Sequence, residues 1–84
     1  MKNIAKVIET YNDGNYVTIL LFNEITKNGF YYEFETVNLV RKWNEILKDL
    51  NDLDNSSYPK SATVISRTFN NADELISYFE DNIL

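Results

Sequence analysis

Residues 30–50, FYYEFETVNLVRKWNEILKDL, change their hydrophobic period once, and that change decides the fold class. Over 30–35 the period is two. Phe30, Tyr32 and Phe34 point one way and Tyr31, Glu33 and Glu35 the other, as in a strand with one buried face. From Leu39 the spacing becomes three and four: Leu39, Val40, Trp43, Ile46, Leu47 and Leu50, continued by Leu53, form one apolar stripe of a helix. Thr36 stands between the two patterns as the expected N-cap. Trp43, with Leu39 and Leu47, is expected to pack under the sheet against Phe34.

Towards the N-terminus, 6–11 and 16–25 are rich in β-branched and aromatic residues, the side chains that suit a pleated surface. Ile4, Val7, Ile8 and Tyr11 also fall on one face of a helix, so strand and helix compete over 4–11, with the strand preferred. Asp13-Gly14 is a strong hairpin signal, because both central residues tolerate positive φ. As a two-residue loop it sets Tyr11 opposite Tyr16, Val7 opposite Leu20 and Ile8 opposite Ile19. The second turn is read at Lys27-Asn28-Gly29. A two-residue Asn28-Gly29 loop would oppose Glu24 and Glu33, two like charges. A three-residue loop with Gly29 left-handed pairs Phe22 with Phe34 and Glu24 with Tyr32, and is preferred.

Towards the C-terminus, residues 54–59 have the composition of a loop. Thr63 to Phe69 reads as a fourth strand with Ile65 and Phe69 on one face. Asn71, with Glu74 three residues on, fits a capping box for a last helix with the stripe Ala72, Leu75, Ile76, Phe79 and Ile83. The expected fold is α+β, in the order βββαβα. It is an antiparallel sheet of about four strands with two helices packed mainly on one face, in one domain spanning 1–84.

Composition narrows the chemistry. The chain has no cysteine and no histidine, which removes disulfides, thiolate metal sites and the commonest general base. A small secreted domain often carries disulfides, so the expected compartment is the reducing cytoplasm. No run of residues is long and apolar enough to span a membrane. The serines have no histidine to activate them and there is no glycine-rich phosphate loop. The expectation is a protein that is not an enzyme and needs no cofactor. Asp52-Leu53-Asp54-Asn55-Ser56 has oxygens at alternate positions like a calcium loop, but Ser57 and Thr63 stand where that loop needs glycine and glutamate.

Thirteen acidic residues against eight basic ones give a net charge of −5. Such a chain is repelled by nucleic acid and attracted by a basic partner. Asp73 and Glu74 sit at a helix N-terminus, where negative charge is stabilising. Asp49, Asp52 and Asp54, and likewise Glu80 and Asp81, gather at helix C-termini, where the dipole opposes them. Glu33 and Glu35 share a strand face at about 6.8 Å spacing, close to the separation of successive phosphates along a nucleic-acid strand. The candidate partner-binding set is therefore Tyr31, Glu33, Glu35, Asp49, Asp52 and Asp54. The strand around Leu20 is apolar on both faces, so Val17, Ile19 and Leu21 are candidates for self-association as a homodimer.

In its small size, acidity, Asn and Tyr content, lack of His and Cys, and Tyr/acid decoration, the chain resembles the inhibitors carried by phages and mobile elements. Those are anti-CRISPR proteins and inhibitors of DNA-repair or restriction enzymes. The resemblance implies an inhibitor that occupies the basic, nucleic-acid-binding surface of a target enzyme such as a nuclease. The alternatives are a self-associating structural or accessory protein, or an immunity protein that neutralises a basic toxin.

Overall fold

The computed structural model describes residues 5–51 and 61–84. Their elements run β1 (Ala5–Asn12), β2 (Tyr16–Asn23), β3 (Asn28–Glu35), a single 3₁₀ turn (Thr36–Asn38), α1 (Leu39–Asn51), β4 (Thr63–Thr68) and α2 (Ala72–Asn82). The strands form one antiparallel sheet in the order β1-β2-β3-β4. This is the βββαβα arrangement that the periodicity predicts.

The helices do not share a face, as the sequence reading placed them, but lie on opposite faces of the sheet. Val17, Ile19 and Leu21 of β2 cluster with Phe30, Tyr32 and Phe34 of β3 beneath Ile46 of α1. Leu20 and Phe22 cluster with Ile65, Phe69 and the α2 residues Leu75 and Phe79 on the other side. A central strand between two helices must be apolar on both faces, and that accounts for the composition of β2. Val17, Ile19 and Leu21 are thereby core residues, all buried under α1. They are not the surface for a second copy that the sequence suggested.

Both hairpin registers differ from expectation, each for a local reason. In the first, the Asp13 N–H donates to the Tyr16 carbonyl (3.2 Å) and Gly14 holds φ +95°. The loop is thus Gly14-Asn15, with positive φ at its first central residue as a type II′ turn requires. Asn12 then faces Val17 and Tyr11 faces Thr18. Between Val7 and Glu9 the register shifts, which makes Ile8 a bulge. The bulge lets Ile8 and Tyr11, three residues apart, both pack on the α2 side of the sheet. That apolar spacing of three is what made a helix the competing reading, and the strand accommodates it with one extra residue.

In the second hairpin the turn-forming residue is Asn23. Its side chain is fully buried, and Oδ1 accepts from the N–H groups of Ile25 (2.9 Å) and Thr26 (3.1 Å). The Lys27 N–H reaches the Asn23 carbonyl (2.8 Å), and Lys27 takes the left-handed conformation at φ 67°. The turn closes before Asn28-Gly29, which begin β3, so Phe22 lies opposite Gly29, and Leu21 opposite Phe30. Gly29 serves packing instead. A Cβ there would lie 2.7 Å from Leu75 Cδ1, so the missing side chain lets α2 sit close on β3.

The helix starts also divide. Asn71 caps α2 as expected, its Oδ1 accepting from the Glu74 N–H at 2.9 Å. Thr36 is not the cap of α1. It opens the 3₁₀ turn, its hydroxyl is buried with no partner among the described residues, and Glu35 precedes that turn without a side-chain cap.

Candidate functional site

The acidic end of the sheet is assembled by strand register. On the α2 side, Tyr11 of β1, Thr18 of β2 and Glu33 of β3 stand in one row across the sheet. Tyr16 lies opposite Glu35 in the next row, with Asp13 beside it at the turn. Asp13 Oδ1 accepts from the N–H groups of Tyr16 (2.7 Å) and Asn15 (2.9 Å), which fixes the carboxylate and lowers its pKa. Glu33 and Glu35 are exposed, and Tyr16 is half exposed.

Two hollows flank Tyr16. One, of about 250 Å³, is lined by Tyr11, Asp13, Tyr16, Thr18, Glu33 and the chain after α2, Ile83 and Leu84. The other, of about 370 Å³, is lined by Gly14, Asn15, Tyr16, Glu35, Thr36 and Val37. Among the described residues, neither lining includes a lysine or arginine. Tyr11 is held in place from two sides. Its ring stacks on Phe79 at 5.7 Å, and its hydroxyl donates to Glu80 Oε2 at 2.9 Å. Burial, with the Glu80 carboxylate next to it, pushes the Tyr11 pKa up to about 12. Among the described residues, no group of three or more acidic side chains is placed to hold a metal ion.

Of the six residues singled out from sequence, the four that the structure describes do not share one surface. Glu33 and Glu35 belong to the site. Tyr31 is half-buried, edge-on to Phe79 at 5.2 Å, and supports α2. Asp49 is on the α1 side of the sheet, where its Oδ2 accepts from the Tyr32 hydroxyl (3.2 Å) and the Ser61 N–H (3.2 Å). Asp52 and Asp54 lie outside the described residues. Two of the charges at helix C-termini gain a local explanation from these bonds, since Asp49 and Glu80 each receive a tyrosine hydroxyl from a strand. Hydrogen bonds to an ionised acceptor contribute about 1.5–3 kcal/mol, enough to offset an unfavourable dipole term of about 0.3–1 kcal/mol.

Asp13, Tyr16, Tyr11 and Thr18 escaped the sequence reading. Asp13 was legible as a turn residue, and Tyr11 and Tyr16 as strand aromatics. Their convergence with Glu33 depends on the register, which the loop lengths decide. Comparison with known families, curated proteins and solved structures found no match.

Proposed function

We propose that this chain is a non-enzymatic acidic binding protein that blocks a basic, nucleic-acid-binding surface on a target enzyme. The observation that carries the reading is the gathering of Asp13, Glu33 and Glu35 around Tyr11 and Tyr16, with no basic side chain among the described residues that line the two hollows. Carboxylates interleaved with aromatic rings suit a groove of arginines and lysines that ordinarily holds phosphates. Nucleic acid itself is disfavoured by the same charge.

The test begins with affinity capture of the target. Association with the purified target is then measured from 50 to 500 mM salt. Exposed charges are screened over about 8 Å at physiological ionic strength, so association should slow steeply with salt. The double reversal Glu33→Lys/Glu35→Lys should slow it further and relieve inhibition of the target's nucleic-acid binding. Binding that ignores both salt and the reversal would reject the reading.

A second reading, self-association, is favoured by the α1 face. Val37 and Val40 are 87 % and 78 % exposed, next to the half-exposed Leu39, Trp43 and Leu47. A second copy packed on this stripe would cover it. Sedimentation over a wide concentration range checks this, with dimer expected for the wild type and monomer for Val40→Glu. A wild type that stays monomeric throughout would dismiss it.

A further inference from the structure

We propose that the hollow between the end of α2 and the β1–β2–β3 row is a receptor for one arginine side chain of the basic partner, selecting arginine over lysine. This deepens the proposed function and rests on it.

Carboxylates alone would attract any cation. The geometry here is more particular, and Thr18 makes it so. Thr18 is 5 % exposed, lies at the centre of the Tyr11–Thr18–Glu33 row and lines the hollow, and its hydroxyl has no hydrogen-bond partner among the described residues. The Thr18 oxygen is not a fully buried orphan but keeps access to the hollow, so a donor from outside can replace water there as its partner. Glu33 stands beside it in the row, and the Asp13 carboxylate at the rim is held by two backbone N–H groups. The rings of Tyr11 and Tyr16 form walls, and Tyr11 is already fixed by Phe79 and Glu80. The C-terminal end of α2 abuts the same space through Ile83 and Leu84 and adds the negative end of its dipole.

A guanidinium matches this set point by point. It is planar and weakly hydrated, stacks on aromatic faces, and directs several N–H donors outward in one plane. Two carboxylates and a hydroxyl at different positions around the hollow can accept from those donors together. An ammonium is a compact, strongly hydrated point charge that gains little from flat aromatic walls.

The test uses two peptides of equal length and charge, hexa-arginine and hexa-lysine, titrated into the intact chain by calorimetry. Wild type should bind the arginine peptide about tenfold or more tightly, as loss of charge-assisted hydrogen bonds and ring stacking implies for lysine. Thr18→Val, which keeps the shape and removes the acceptor, should erase most of that preference while holding or raising the thermal midpoint, because no native bond is lost. Glu33→Gln should weaken arginine binding about tenfold. Equal, salt-sensitive binding of both peptides would overturn the arginine receptor and leave the acidic docking surface standing. Binding of neither would overturn both.

Discussion

The two helices carry comparable apolar stripes but meet the sheet on unequal terms. α2 drives Leu75 and Phe79 fully into its face, where Phe79 touches the rings of Tyr11 and Tyr31. α1 buries only Ile46, and Trp43, which the sequence placed in the core, is 38 % exposed. The α2 side is reinforced further by Arg67. Its guanidinium lies over both Phe69 (4.8 Å) and Tyr78 (4.7 Å) and pairs with Glu74 at 3.7 Å. Periodicity therefore reports that a helix has an apolar side, and tertiary packing alone decides how much of that side is covered.

The comparison can be broken most directly at Phe79. Phe79→Ala should cost about 3–5 kcal/mol, as for other buried phenylalanines, and leave the chain unfolded or close to it in a thermal melt followed by circular dichroism. Gly29→Ala should cost about 1–3 kcal/mol by overpacking against Leu75. A double-mutant cycle with Leu75→Ala should show the two sites coupled, and additive effects would mean that β3 and α2 do not press on each other there. Trp43→Ala should cost only about 1–2 kcal/mol, below the range for a fully buried ring. If Trp43→Ala proves as damaging as Phe79→Ala, the inequality of the two helices is wrong.

A smaller effect sharpens the comparison, because each face has its own tyrosine–carboxylate pair, Tyr11–Glu80 with α2 and Tyr32–Asp49 with α1. Burial and the adjoining carboxylate raise both phenols above the ordinary tyrosine value, Tyr11 to about 12. With the folded value above the unfolded one, the native state holds protons that the unfolded chain has released. The stabilisation is then complete below about pH 10 and is lost as pH climbs through 10 to 12 for Tyr11, and higher for Tyr32. Thermal midpoints measured across this range should fall less steeply for Tyr11→Phe and Tyr32→Phe than for the wild type. Parallel curves would show that the phenols do not sense folding. The smallest effect belongs to Glu33→Lys/Glu35→Lys, whose midpoint should stay within about 0.5 kcal/mol of wild type in stability, since both side chains are exposed.

Much of the architecture was legible because it depends on short-range pattern. The alternation of 30–35, the stripe of α1 and the Asn71 cap each belong to a few neighbouring residues, and all three elements form where read. What sequence did not convey was long-range or hidden in one side chain. The Asn23 cap moved the second turn, and an odd change in register exchanged the faces that Leu20 and Leu21 share with β3. The site suffered most from this. Its rows run across three strands, so Asp13, Tyr16 and Thr18 meet Glu33 and Glu35 only after both loops are correctly placed. Asp49 was misread for the opposite reason. A carboxylate at a helix end looked unneeded until Tyr32, seventeen residues away, supplied its donor.

The bulge at Ile8 has a consequence for how the molecule shares space with its own copies. β1 is an outer strand, and an outer strand presents unpaired N–H and C=O groups on which another chain can continue the ladder. A straight strand arriving from a second molecule would find those groups in step only as far as Val7, and then again only from Glu9. Each stretch is shorter than the roughly five or six residues commonest in strands. The bulge thereby disfavours edge-to-edge pairing along β1. With the β1 edge so guarded, the residues left exposed on and just before α1, Val37, Val40 and Trp43, offer a contact between copies through side chains rather than through the β1 ladder.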